Sequence, residues 1–427
     1  MSSLKKSLNL YQGIGILVST LLGSGIFLIP AIVSSIAGTK SAVSWLLMIL
    51  IILPIALTFS SLGIVYPNAG GTAFFIRNAF GKRFENFTSW LYLSVVSIGP
   101  PVVIITGANY LGSIINANKT GVFIISVGML LIMLLINLQG IELTGNIQTI
   151  ISIVIVAVIL IMAIFSLAKE PLLILKNTNF KLEKGDISII LESMGIVFWC
   201  FVGIEALAHL APEFKNIEKD FPKTVIISIL LVGFLCLLLS LIVLQYHAYG
   251  NESLNAGYVA YIINIMIGGY GKNFASILGF ITCFATVNVY ILSFSRQILS
   301  MSQNKVLPAF FLKTTSRNVP INATIPCFLL VLITIAAKFA LNINLNELIL
   351  YANGIFISVY LLASVSGLVL LSGFKKIIAL LATIFCLSIL MCIGTKAIYA
   401  IIVLIFSVFW DYARELYLSS QEKTRNF

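Results

Sequence analysis

Two short stretches of this chain are out of character with their surroundings. Gly23-Ser24-Gly25 interrupts a long apolar run at its middle, and Gly203 followed by Glu205 interrupts another, just behind Trp199 and Phe201. Glycine lowers helix preference and lets the backbone leave its hydrogen-bond ladder. In hydrocarbon, the N–H and C=O groups freed in this way are tolerated only where they line protein or a polar cavity. A half-helix end also carries a partial charge, positive at the N-terminus and negative at the C-terminus, so a break can hold an ion without a charged side chain. Small residues serve close helix packing as well, and for either break alone that reading stands beside the first.

Glu205 is the sharpest single candidate. A carboxylate within a span costs about 2.5–3.5 kcal/mol on insertion scales, so it is kept with a partner, a water-filled cavity or a protonation role. Proton coupling or gating is one role for it, and a structural bond to the freed backbone of its own break is the other. Glu192, nearer the end of the same run, reads as interfacial. Asn109, Tyr110, Asn137, Gln139, Asn288, Tyr351 and Asn353 read as interhelical bonds or cavity groups, and Ser293 as a further oxygen for a sodium ion. His209 and His247 sit near run ends, with an interface or proton-relay role. The six cysteines fall in apolar runs without paired spacing, which argues for packing and against disulfides or zinc. There is no Ser/His/Asp set, and Gly13-Ile14-Gly15 opens an apolar run rather than a phosphate loop, so nothing points to an enzyme.

The elements that must position these groups follow from composition. Of 427 residues, 59% are hydrophobic and 10% charged, and mean hydropathy is +1.08, more apolar surface than a globular core can hide. A span takes about 20 apolar residues. Apolar runs fall near 11–36, 42–63, 86–113, 121–138, 146–168 and 187–210, then near 223–247, 273–300, 322–340, 346–371, 376–392 and 396–412. The chain therefore reads as an all-α integral membrane protein of about twelve spans, in one domain over 1–427 with no soluble part of useful size. The first run is too long for a signal-peptide core and reads as a retained span.

Seventeen of the 26 basic residues, Lys5, Lys6, Arg77, Lys82, Arg83 and Lys215 among them, fall in loops on the N-terminal side. That bias predicts both termini in the cytoplasm, and the net charge of +11 is read as a topology signal beside anionic lipid rather than as affinity for nucleic acid. The two interruptions occupy equivalent places, each in the first span of a five-span half. This predicts an inverted repeat, about 11–168 and about 187–371, with discontinuous spans one and six, a site at the repeat interface and two added helices at about 376–412.

Three stretches resemble the amino acid/polyamine/organocation transporter superfamily: Gly13-Ile14-Gly15 through Gly23-Ser24-Gly25-Ile26-Phe27 with Pro30; Tyr66-Pro67-Asn68-Ala69-Gly70-Gly71 with Phe80-Gly81; and Glu213-Phe214-Lys215-Asn216 with Phe221-Pro222. The likeness extends over nearly the whole chain and is strongest to bacterial exporters of methionine and branched-chain amino acids. There are departures. Phe74 and Phe75 stand where many relatives carry aromatic hydroxyls, and span five lacks the lysine of some proton-coupled relatives.

The resemblance implies secondary transport of a small zwitterion across a bacterial inner membrane, without a cofactor, driven by a proton gradient or alternatively sodium. Oligomeric state is not indicated. The expected site is Gly23, Ser24, Gly25, Ile26 and Phe27, whose N–H groups would hold a carboxylate, with Trp199, Phe201, Gly203 and Ile204, whose break would supply carbonyls to an ammonium. Phe27, Trp199, Phe201 and Ile204 would line an apolar side-chain pocket, and Glu205 would couple or gate. Import or exchange of cationic amino acids or polyamines, and amino acid sensing without transport, are the rival expectations.

Overall fold

The structure, a computed structural model, describes residues 8–23, 25–67, 71–138, 145–172, 176–205, 208, 211–314 and 319–425. Lys5, Lys6, Ser24, Asn68, Ala69, Gly70, Gln139 and His209, all singled out in the sequence, lie outside the described residues.

The first helix, α1 (Leu10–Leu22), starts at Asn9, whose side chain accepts from the Gln12 N–H at 3.0 Å while Gln12 accepts from the Asn9 N–H at 3.1 Å. It stops at Gly23, where φ is +22°. A 3₁₀ turn over Gly25–Phe27 and a non-helical Leu28 separate it from α2 (Ile29–Ala37). Pro30 stands in the first turn of α2, where a missing N–H breaks no intrahelical bond. Further on come α3 (Ser41–Val65), the short α4 (Gly71–Phe80), α5 (Lys82–Ser94), α6 (Gly99–Ile114), α7 (Lys119–Leu138) and α8 (Gly145–Lys169).

The second half opens with α9 (Asp186–Val197), which ends in a 3₁₀ turn over Phe198–Phe201. Extended backbone at Val202 and a φ of +125° at Gly203 follow, before helix resumes at Ile204. It continues with α10 (Ile217–Gln245), α11 (Glu252–Ile267), α12 (Gly269–Gln303), α13 (Ile321–Leu341), α14 (Leu345–Leu370), α15 (Gly373–Ile393) and α16 (Ile398–Arg425).

Among the described residues, nine segments are long and apolar enough to cross a membrane, and three of them, Ile29–Val65, Lys82–Ile114 and Gly373–Glu415, each fold as two helices. This is a multi-pass, all-helical membrane protein. Each expected apolar run is a helix or an interrupted helix, with boundaries shifted by a few residues; α10 starts at Ile217 and α12 at Gly269. Three features were not expected. α4 and α11 are additional helices, and the third run is bent at a 3₁₀ turn, Val95–Ser97, because Pro100 and Pro101 cannot donate to the carbonyls four residues earlier.

Helices pack as α6 on α12, α14 on α15 and α3 on α10. Polar side chains tie them at points. Trp45 Nε1 donates to Ser240 Oγ at 2.7 Å, Ser193 Oγ to Ser44 Oγ at 2.7 Å, Asn137 Nδ2 to Asn288 Oδ1 at 2.6 Å and Asn353 Nδ2 to the Gly195 carbonyl at 2.8 Å. Bonds of this kind between spans contribute about 0.6 kcal/mol each on average. Asn109 instead bonds back to its own helix at Ile105 O, 2.9 Å away.

Candidate functional site

The two broken runs meet. A Cβ built on Gly25 would stand 3.0 Å from Cys200 Sγ and 3.3 Å from the indole of Trp199, and one built on Gly203 would stand 2.7 Å from the methyl of Thr20. Each glycine thus lets the backbone of one break approach the other, and Gly203 also holds a φ that side chains rarely adopt. Beside this contact lies a cavity whose empty space, open solvent included, is about 410 Å³. Thr20, Leu21 and Gly25 from span one and Trp199 and Val202 from span six form one side. The bent third run supplies Val95, Gly99, Pro100 and Val103, α12 supplies Thr286 and Tyr290, and α14 supplies Phe356. Among the described residues that line it there is no Asp, Glu, Lys or Arg.

Gly25 and Trp199 of the expected set therefore face the cavity. Gly23 is close by, its Cβ position 3.5 Å from Thr286 Oγ1. The side chains of Ile26 and Phe27 turn instead toward a separate space walled by Ile155, Ile159, Leu239 and Val259, and Phe27 meets Tyr110 edge-on with ring centroids 5.2 Å apart. Phe201 is fully buried and reaches toward Gly233 of α10, while Ile204 is buried outside the lining. The physical reason is the tight 3₁₀ geometry of both breaks, which spreads successive side chains around three directions rather than onto one face.

Glu205 is buried, 5% exposed, and engaged. Its Oε2 accepts from the Gly203 N–H at 3.0 Å and from the hydroxyl of Tyr360 in α14. The same hydroxyl lies 3.2 Å from the Gly203 nitrogen and 3.3 Å from the Phe201 carbonyl oxygen. A carboxylate and a phenol thus satisfy backbone that the break in span six leaves without helical partners. Tyr360 is wedged there by Phe59 and Phe198, with ring centroids at 5.1 and 5.5 Å.

Span one has a matching arrangement. Tyr258 of α11 donates to the Ile26 carbonyl, and Tyr110 of α6 donates to the Phe27 carbonyl at 3.0 Å. Ser293 is exposed and does not serve as an inward-facing oxygen; it is Thr286, two turns earlier in α12, that approaches span one. Sequence reasoning missed Thr20, Thr286, Tyr258, Tyr290 and Tyr360. The doubled proline at 100 and 101 was a readable sign of the bend in the third run, and Asn251 before Glu252 a readable helix start for α11. The tyrosines carried no such sign.

At the end of the molecule where α2 finishes, Lys40 pairs with Asp186 at 2.7 Å and also donates to the Lys181 carbonyl. Lys40 follows α2 and Asp186 opens α9, so the pair joins the half of span one beyond its break to the half of span six before its break.

Comparison with known proteins agrees with this architecture. A sequence profile described as amino acid permease matches residues 8–413. The chain is 37% identical over 411 residues to the L-methionine/branched-chain amino acid exporter YjeH of Escherichia coli, covering 95% of this chain and 96% of that one. It is 28% identical to an uncharacterized amino acid permease, YecA, of Bacillus subtilis, covering 87% of each chain, and 26% identical to the serine/threonine exchanger SteT of the same organism over 72% of this chain and 70% of that one. Two interrupted spans facing one uncharged cavity, carried by a chain matched nearly end to end, make this protein a member of the amino acid permease family in the amino acid/polyamine/organocation superfamily, a transporter of amino acids and not an enzyme.

Proposed function

We propose that the protein exports neutral amino acids, methionine and the branched-chain ones among them, across a bacterial inner membrane by alternating access. In this reading twelve spans form a five-plus-five inverted repeat, about 11–168 and about 187–371, with two added helices at about 376–412 and both termini in the cytoplasm.

The observation that carries the proposal is the cavity between the two breaks. The start of the Gly25–Phe27 turn offers N–H groups and a positive dipole end to a carboxylate, and the end of the Phe198–Phe201 turn offers carbonyls to an ammonium. Gly23, Gly25, Trp199 and Gly203 shape these two ends, and Ser24, outside the described residues, adds its hydroxyl in this reading. The remaining walls, from Val95, Val103 and Phe356, are apolar and match a thioether or branched aliphatic side chain. Among the described residues that line the cavity a cationic side chain would find no acid, which favours neutral substrates over arginine, ornithine or polyamines. The likeness to YjeH supports the same substrates and the outward direction.

Glu205 is the coupling or gating group in this reading. Its bonds to Gly203 and Tyr360 link spans six and ten, so a change in its protonation alters the contact that holds the break in span six against α14. A proton gradient drives the cycle, with sodium as the alternative.

Proteoliposomes loaded with labelled methionine, leucine or arginine, with a pH-sensitive dye inside, test the proposal. Efflux of methionine and leucine driven by an imposed proton gradient, with dye acidification in step and arginine retained, is the expected result. Efflux that follows only sodium, or that carries arginine as fast as leucine, overturns the coupling or the substrate assignment respectively.

A further inference from the structure

The carbonyls of Ile26 and Phe27 are consecutive, and both are freed by the break in span one. Proline at 30 has no N–H to return to Ile26, and Leu28, with φ −140°, lies outside the helical range. Both carbonyls are met by phenols: Tyr258 for Ile26 and Tyr110 for Phe27. Both tyrosines are fully buried.

The donors belong to a different part of the molecule from the acceptors. The Tyr110 ring lies on Gly279 of α12, whose Cβ would stand 2.7 Å from the ring, so Tyr110 is held by α6 and α12. Tyr258 rides on α11, which packs on α12 and α6 and is fastened at its start by the ion pair of Glu252 with Lys338 of α13. α2 packs chiefly against α9 and α10, meets α11 at a smaller contact, and is tied to α9 through Lys40 and Asp186. The two phenol bonds therefore bridge the broken span to the group α6, α11, α12 and α13.

We propose that Tyr258 and Tyr110 form a latch: their hydroxyls hold α2 closed over the cavity at the Lys40 end, and both bonds must release before the cavity opens there. They are positioning residues, distinct from the groups that touch substrate, and the idea rests on the transport reading above. The bonds exist in one of the two end states and not in the other, so removing a hydroxyl shifts the balance between states. The net worth of one hydrogen bond sets that shift at about fivefold. It appears as about a fivefold change in the ratio of the half-saturating concentrations measured from the two faces.

The experiment compares wild type with Tyr258→Phe and Tyr110→Phe, which keep the rings and their packing. Initial rates with labelled methionine are measured from each face of proteoliposomes, over a range of concentrations. In parallel, Val103→Cys, which lines the cavity, is labelled by a membrane-impermeant thiol reagent added at one face or the other, in the presence and absence of the Tyr→Phe changes. The expected result is a lower half-saturating concentration and faster labelling at the Lys40 face, with the opposite change at the other face. Equal loss of maximal rate at both faces with the concentration ratio and the labelling unchanged assigns the tyrosines a structural role only and overturns the latch. Labelling does not depend on transport: wild type that moves no amino acid while labelling still shifts overturns the transport reading and leaves the latch standing.

Discussion

Replacing Gly203 by alanine tests the geometry on which the site depends. Two separate costs arise. With φ at +125°, any residue with a Cβ is strained, by about 1–3 kcal/mol. The new Cβ would also stand 2.7 Å from Thr20 Cγ2, and Thr20 cannot simply rotate away because its Oγ1 is bonded to the Ile16 carbonyl at 2.8 Å. Overpacking of this kind adds about 1–3 kcal/mol. Gly250 is the internal control: its φ is +126° and nothing lies within 4 Å of its Cβ position, so Gly250→Ala carries the strain without the collision. Thermal and denaturant unfolding in detergent, together with methionine efflux, should place Gly203→Ala about 1–3 kcal/mol below Gly250→Ala, with efflux reduced at least tenfold. Adding Thr20→Ser, which deletes the colliding methyl, should restore most of that difference. Equal stability of the two alanine variants, or no recovery with Thr20→Ser, would refute the claim that span six is pressed backbone to side chain against span one.

Gly25→Ala should leave the fold intact but raise the half-saturating methionine concentration about tenfold or more, because its Cβ meets Cys200 and Trp199 at 3.0 and 3.3 Å; equilibrium binding of labelled methionine to purified protein reads this. Tyr360→Phe removes a side-chain hydroxyl donor from Glu205 and should cost about 1.5–3 kcal/mol, read by denaturant unfolding. Glu205→Gln should flatten the pH profile of efflux, and an unchanged profile removes Glu205 from coupling. The Lys40 ammonium beside Asp186, at the membrane end of α9, together with the Glu183 N–H, holds the Asp186 carboxyl below the usual carboxylate range. A lowered value means that the pair stabilises the protein above the ordinary carboxylate pKa and that this contribution is lost as pH falls through the lowered one. Melting temperature should therefore be flat from pH 8 to about 5 and fall below about pH 4. The fall should be shallower in Lys40→Gln.

The breaks were legible because glycines in the middle of an apolar run have few other physical uses, and Gly23 and Gly203 do carry positive φ in the structure. Side-chain directions were not legible. A stretch read as one face, such as Gly25-Ile26-Phe27, is wound into a 3₁₀ turn that sends only Gly25 toward the cavity. The partners of the freed backbone were hidden for a different reason. Tyr110, Tyr258 and Tyr360 lie 83, 232 and 155 positions from the residues they bond, and a tyrosine in an apolar helix looks the same in sequence whether it packs or donates. α11 escaped because, at 16 residues, it is too short to register as a crossing segment.

The make-up of the sixth run bears on how the chain is made. α9 has 12 residues, about 18 Å of helix against roughly 30 Å of hydrocarbon, and the run carries Glu192 at its surface and Glu205 in its depth. Offered alone to the insertion machinery, it is a poor candidate for partitioning into lipid. Its entry during synthesis must lean on segments already in place, with α3 supplying Ser44 for Ser193. Glu205 gains the Tyr360 hydroxyl only when α14 arrives. The stretch that shapes half of the cavity thus gains its Tyr360 contact only after α10, α11, α12 and α13 have been made.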